Sequence, residues 1–157
     1  NNDAQFYGID VSGSAEVWDS DDVGRFTVFG TLGWVRGRDL SSNENAYHQM
    51  PLNTRLTLAH DLDAWSSAVE VIAVADKSKV DNTRNELRTS EYALLNLRTS
   101  YALGKARLYF GIDNVFDTAY DLPLGGIALS QLEQNGGRRQ EVWGTGRSFI
   151  GGLSMTW

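Results

Sequence analysis

Apolar and polar residues alternate with a period of two along most of the chain, in seven segments parted by turn or loop signals. Period two is the repeat of an extended strand, whose successive side chains leave on opposite faces. The first segment, Ala4 to Trp18, sets Ile9, Val11, Ala15 and Val17 on one face, against Asp10, Ser12, Ser14 and Glu16. The second, Arg25 to Arg36, sets Phe26, Val28, Leu32 and Trp34 against Thr27, Thr31 and Gly33. The third runs Leu52 to Asp61 (Leu52, Leu56 and Leu58 against Asn53, Arg55 and Thr57), and the fourth Trp65 to Asp76 (Trp65, Val69, Val71 and Ala73 on one face). The fifth runs Tyr92 to Leu103, with Leu95, Leu97, Tyr101 and Leu103 opposite Asn96, Arg98 and Ser100. The sixth, Lys105 to Val115, has Ala106, Leu108, Phe110 and Ile112 against Arg107, Tyr109 and Asp113. The seventh, Arg147 to Trp157, has Phe149, Leu153, Met155 and Trp157 against Ser148, Ser154 and Thr156.

The connections alternate in length. Asp19 to Gly24, Leu62 to Ala64 and Gly104 are short; Gly37 to Pro51, Lys77 to Glu91 and Phe116 to Gly146 are long. In an antiparallel meander every second connection lies on the same edge, so short turns collect on one edge and long loops on the other. Outer-membrane barrels sort their connections this way, with short periplasmic turns and long outer loops. Trp18, Trp65, Tyr101 and Trp157 fall at the short-turn ends of their segments, and Trp34 and Tyr92 at the long-loop ends. Amphipathic rings at both ends of an apolar face suit two membrane interfaces. The expected fold is an all-β, antiparallel transmembrane barrel segment of about seven strands. Asp10, Glu16, Arg55, Glu70, Arg98, Arg107 and Asp113 are then expected to line a wet lumen.

Composition narrows the function. Hydrophobic residues make 41% and charged residues 22% of the 157, so the composition is not that of a disordered chain. The net charge of −6 argues against a nucleic-acid partner. Cysteine is absent, which removes disulfides, thiolate catalysis and cysteine metal sites. No apolar run reaches the roughly 18 residues of a membrane-spanning helix. Sixteen glycines, two prolines and five tryptophans suit a β-rich envelope protein. The opening Asn1-Asn2-Asp3, without a starting Met or a leader pattern, leads us to expect a mature chain or a piece of something longer.

Site chemistry is sparse. Asp19, Asp21, Asp22 and Gly24 begin like a calcium loop, but Gly30 stands where the closing carboxylate belongs. His60 and Asp61 have no nucleophile elbow or third partner, and read as structural. The stretches Pro123-Leu-Gly-Gly126 and Asn135-Gly-Gly-Arg-Arg139 lack the following helix of a phosphate loop. Tyr47, His48 and Met50 on one outer loop, and Arg138 and Arg139 on another, are the candidate ligand contacts; the arginines suit an anionic chelate. Asp113 and Asn114 read as strand-end geometry. No catalytic residue, bound metal or cofactor is expected.

Three stretches resemble a known family: Met50-Pro-Leu-Asn-Thr-Arg-Leu-Thr-Leu-Ala-His60, Tyr92-Ala-Leu-Leu-Asn-Leu-Arg-Thr-Ser-Tyr101 and, most specifically, Gly111-Ile-Asp-Asn-Val-Phe-Asp117 with Tyr120. With the final strand opened by Gly146-Arg147-Ser148-Phe149, they are similar to the C-terminal part of TonB-dependent outer-membrane receptors. The likeness runs from Phe6-Tyr7-Gly8 to Trp157. It implies the last third of a barrel of about 22 strands, which needs on the order of 500 residues, with a plug domain that this chain lacks. It also implies a Gram-negative outer-membrane location and uptake of a scarce ligand, foremost a ferric siderophore or other metal chelate, with energy passed through TonB. Implied partners are outer-membrane lipid, the rest of the barrel and its plug, TonB through the missing N-terminal region, and the barrel-assembly machinery through the last strand. Family members most often end in Phe, and Trp157 departs from that while staying aromatic. The competing readings are a soluble β-sandwich binding module, a barrel without TonB, and a barrel hydrolase built on His48 or His60.

Overall fold

The computed structural model describes residues 3–132 and 136–157. Asn1, Asn2 and the Asn135 of the second glycine-rich stretch lie outside the described residues. Seven strands form one sheet in the order of the chain: β1 (Ala4–Ser20), β2 (Gly24–Asp39), β3 (Asn53–Leu62), β4 (Trp65–Val74), β5 (Tyr92–Leu103), β6 (Ala106–Asp113) and β7 (Ser148–Met155). Every neighbouring pair is antiparallel. One helical turn, α1 (Leu129–Leu132), interrupts the last long loop, where the alternation predicts no helix.

The short connections all lie on one edge and the long ones on the other, as the spacing predicts. The tight turns depend on residues that accept a left-handed backbone: Gly24 (φ 84°), Asp63 (φ 50°) and Gly104 (φ 60°). At Gly24 a side chain would also strike the carbonyl oxygen of Asp61, 2.3 Å from an ideal Cβ. The first two strands run on past the others at the long-loop edge, ending in the pair Ala4↔Asp39.

Register fixes the faces, because residues directly opposite in an antiparallel pair point the same way. Ile9↔Trp34, Val11↔Leu32, Val28↔Leu58, Leu56↔Val71, Val69↔Leu97, Tyr101↔Leu108 and Leu108↔Leu153 carry one apolar face across all seven strands. One expectation needs correcting. Val17 does not continue the ladder of Ile9, Val11 and Ala15: Glu16 pairs with Thr27 and Trp18 with Phe26, so Val17 is the extra residue of a β-bulge.

Among the described residues no second layer covers the apolar face. Leu56 is 53% exposed, Phe110 48% and Leu153 57%. Among the described residues the buried apolar side chains are Ala46, Val74, Val80 and Leu94 with Pro51 and Pro123, all toward the long-loop end. The surface of 10,681 Å² exceeds the roughly 7,900 Å² expected of a compact monomer of this mass. The sheet is one open layer, with β1 and β7 each offering an unpaired edge. A sandwich that packs its apolar faces together is therefore not the fold.

Candidate functional site

The face opposite the apolar one collects the charges. Asp10↔Gly33, Glu16↔Thr27, Thr31↔Arg55, Thr57↔Glu70, Glu70↔Asn96, Ala68↔Arg98, Ala102↔Arg107 and Asp113↔Ser148 place all seven predicted polar-face residues together. Most of them form linked contacts rather than isolated charges. Arg55 meets Glu70 at 3.2 Å, and the other Glu70 oxygen accepts the Asn96 amide at 2.8 Å. Arg98 pairs with Asp113 and also donates to the Ile112 carbonyl. Arg107 donates to the Ser100 hydroxyl at 3.0 Å. Asp10 and Glu16, on the first strand, are exposed.

Asn114 ends this network and begins the last loop. Its backbone N–H donates to the Asn96 side-chain oxygen at 2.9 Å. Its side-chain amide donates to the carbonyls of Thr118 and Thr145, and its oxygen accepts the Thr118 N–H at 2.9 Å. The residue is 3% exposed and holds a left-handed backbone, φ 51°, which Asn tolerates better than most residues. Three residues on, the Asp117 carboxylate accepts the Arg147 N–H at 2.8 Å. The Asn-Val-Phe-Asp run is thus a clasp that joins the exit of β6 to the entry of β7.

The predicted interface aromatics divide. Trp18, Trp34, Trp65 and Tyr101 stand in the apolar-face ladders. Trp34 meets Tyr7 edge-on at 5.7 Å and lies under the Arg36 guanidinium at 6.0 Å. Trp65 turns its indole N–H onto the Thr99 hydroxyl, 2.7 Å away. Trp157 lies beyond β7, fully exposed. Tyr92 is a correction: it pairs with Val74 on the polar face, and its ring packs 4.5 Å from that of Tyr120. His60 stacks on Phe26 at 4.4 Å, and its Nε2 lies 2.8 Å from the Val23 carbonyl, which ties the first short turn to β3.

At the long-loop edge the three long loops pack on one another. Lys77 and Glu86 form an ion pair at 2.7 Å, with side chains only 3% and 6% exposed. The Lys77 ammonium also donates to the Pro123 carbonyl at 2.6 Å. The Glu86 oxygens accept the N–H groups of His48 and Asp81, each at 2.8 Å. Asn45 donates to the Val80 carbonyl, and Asn82 to the Glu44 carboxylate. The Thr83 hydroxyl, 2.6 Å away, is the main cause holding the Asp81 carboxyl below its usual range; the N–H groups of Arg84 and Thr83 and the Arg84 charge add to it, against burial.

A cleft between these loops, with room for about one water molecule (30 Å³), is lined by Tyr47, His48, Lys77, Arg84, Thr89 and Glu141 among others. The Tyr47 ring lies 5.1 Å from His48 and 5.2 Å from the Arg84 guanidinium. Of the expected ligand contacts only Tyr47 and His48 meet here. Met50 lines a separate open recess with Asp10, Trp34 and Asn53. Arg138 and Arg139 are exposed on the last loop and line neither recess. Among the described residues no group of three or more His, Cys, Asp or Glu is gathered to hold a metal ion. The calcium-like run is divided among the end of β1 (Asp19), a turn (Asp21 and Asp22) and β2 (Gly24 and Gly30). Sequence reading missed Lys77, Glu86 and Arg84, because a polar stretch without periodicity reads as solvated loop.

An uncovered antiparallel meander, apolar on one face and charged on the other, with its connections sorted by length, defines a membrane β-barrel wall. The sequence matches the family described as TonB dependent receptor-like, beta-barrel, over residues 1–115, and the chain belongs to that family. Among solved structures it is similar to "Copper transporter OprC", with a TM-score of 0.84 and 19% identity. The match covers 100% of this chain and 24% of that one, so this chain spans about a quarter of that transporter's length. No curated protein sequence matches it.

Proposed function

We propose that the chain is the C-terminal portion of a TonB-dependent importer in a Gram-negative outer membrane, and that the importer's cargo is a ferric siderophore or another metal chelate. The observation that carries the reading is the pairing of an apolar face that nothing covers with a charged face whose side chains are already ordered. Hydrocarbon against the first and a solvated lumen against the second give each face its proper medium. The remaining strands complete a barrel of about 22, and a plug fills it. Energy arrives through TonB acting on parts outside this chain, and the last strand meets the assembly machinery.

Capture falls to the outer loops 37–50, 77–91 and 118–146. Tyr47, His48 and Arg84 present an exposed aromatic, imidazole and guanidinium around the mouth of a cleft too small for a chelate, so they would meet an anionic, ring-bearing chelate from outside it, the Arg84 charge being shared with Asp81. Arg138 and Arg139 add positive charge further out. Import of copper as the bare ion, which the likeness to a copper transporter suggests, is favoured less. His48 and Met50, the imidazole and thioether donors of the first long loop, line different recesses.

The test is deletion of the gene, followed by growth on single defined iron or copper sources. Loss of growth on one ferric chelate, restored by the wild-type gene and not by a Y47A/R84A variant, supports the reading. Normal growth on every chelate with a defect on free copper alone would overturn the cargo assignment.

A further inference from the structure

We infer that the three outer loops move as one unit, held by the buried Lys77–Glu86 pair acting as a latch. The latch governs how one sector of the outer surface opens, and it needs no particular cargo. The pair lies wholly within the second long loop, yet its remaining hydrogen-bonding capacity is spent largely on the other two. Glu86 Oε1 takes the His48 N–H of the first loop, and Lys77 Nζ reaches the Pro123 carbonyl of the third. Asp81, within the second loop, gives its N–H to Glu86 Oε2.

Both charges are almost fully withdrawn from water, so neither can be left alone without a large penalty. Separating the first or third loop strips one hydrogen bond from a buried charge. Separating the pair leaves two such charges without their main partner. Small independent excursions of a single loop are therefore disfavoured against release of the whole cluster. The first and second loops are also joined by Asn45 to Val80 and Asn82 to Glu44, and the second loop is closed by the Lys77 N–H to the Thr89 carbonyl.

Hydrogen exchange on the full-length receptor in lipid nanodiscs tests the latch, because the loop amides are direct reporters. His48 N–H and Asp81 N–H end on Glu86, and Leu122 N–H ends on the Val142 carbonyl within the third loop. In E86Q, exchange in segments 46–50, 77–89 and 120–128 is expected to quicken together, on the order of a hundredfold, while 92–103 is unchanged. Acceleration of 77–89 alone overturns the proposal. A K77M/E86L variant keeps the second loop packed but cannot bond the other two, so 46–50 and 120–128 are expected to stay released. Wild-type protection of all three segments in that variant would show that packing, not the ion pair, couples them.

Discussion

Trp18 stands opposite Phe26 because Val17 is one residue too many for the ladder. Strict alternation from Ala15 would set Trp18 beside Glu16 on the charged face. The bulge resets the phase within one residue and returns the indole to the face that carries Phe26, His60 and Trp65. Removing Val17 should therefore be tolerated, since Glu16 and Trp18 keep their partners. Deleting Ser12 reverses the faces of residues 4–11, or those of 13–17 where the bulge takes up the lost residue. The expected outcome is a normal folded fraction for the Val17 deletion and a sharply reduced one for the Ser12 deletion, read from heat-modifiable mobility on a gel.

The two faces should answer differently to charge. Leu56→Arg puts a guanidinium on the apolar face in mid-strand and should cost about 2–4 kcal/mol. Arg55→Ala, one residue away, removes an ion pair whose arginine is more than half exposed and should cost about 1 kcal/mol or less. Guanidinium unfolding from lipid vesicles measures both. Equal costs would mean that the faces do not meet different media.

Asn114 carries three side-chain hydrogen bonds on a left-handed backbone. Asn114→Ala loses both features and should destabilise by about 2–4 kcal/mol. Asn114→Gly keeps the backbone freedom and should recover about 1 kcal/mol of that loss. The same unfolding assay separates the two variants.

Asp81 sets a pH dependence for the second long loop. Its carboxyl is held below the ordinary value of 3.8 by the Thr83 hydroxyl first, so folding favours the ionised form. The stabilisation is present above the ordinary value and is lost as pH falls through the lowered one. A spin label at the exposed Ser78 should stay immobile down to about pH 4 and gain mobility below it. Asp81→Asn should show the mobile spectrum at all pH values.

Much of the sheet was legible because period-two alternation is a local signal. β5 runs from Tyr92 to Leu103 as the pattern predicts, and the other strands differ by no more than three residues at either end. The charged face followed from the same parity. The Val17 bulge was not legible, because a single inserted residue leaves the composition of both faces plausible. Tyr92 was misplaced for a related reason: its position at a strand end was read, but not its parity against Leu95. The loop cluster was invisible, since Lys77, Glu86 and Pro123 are joined by tertiary packing that no spacing encodes.

In the proposed receptor Leu108 and Phe110 face hydrocarbon, while Arg107 and Tyr109, on the opposite face of β6, face water. Nitroxides placed singly at residues 107–112 of the full-length receptor in liposomes, probed with dissolved oxygen and with a water-soluble nickel chelate, measure that division directly. The collisions should alternate with period two, oxygen peaking at 108, 110 and 112 and the chelate at 107, 109 and 111. Labels at 108 and 110 that neither reagent reaches would place those side chains in a dry protein interior and contradict it.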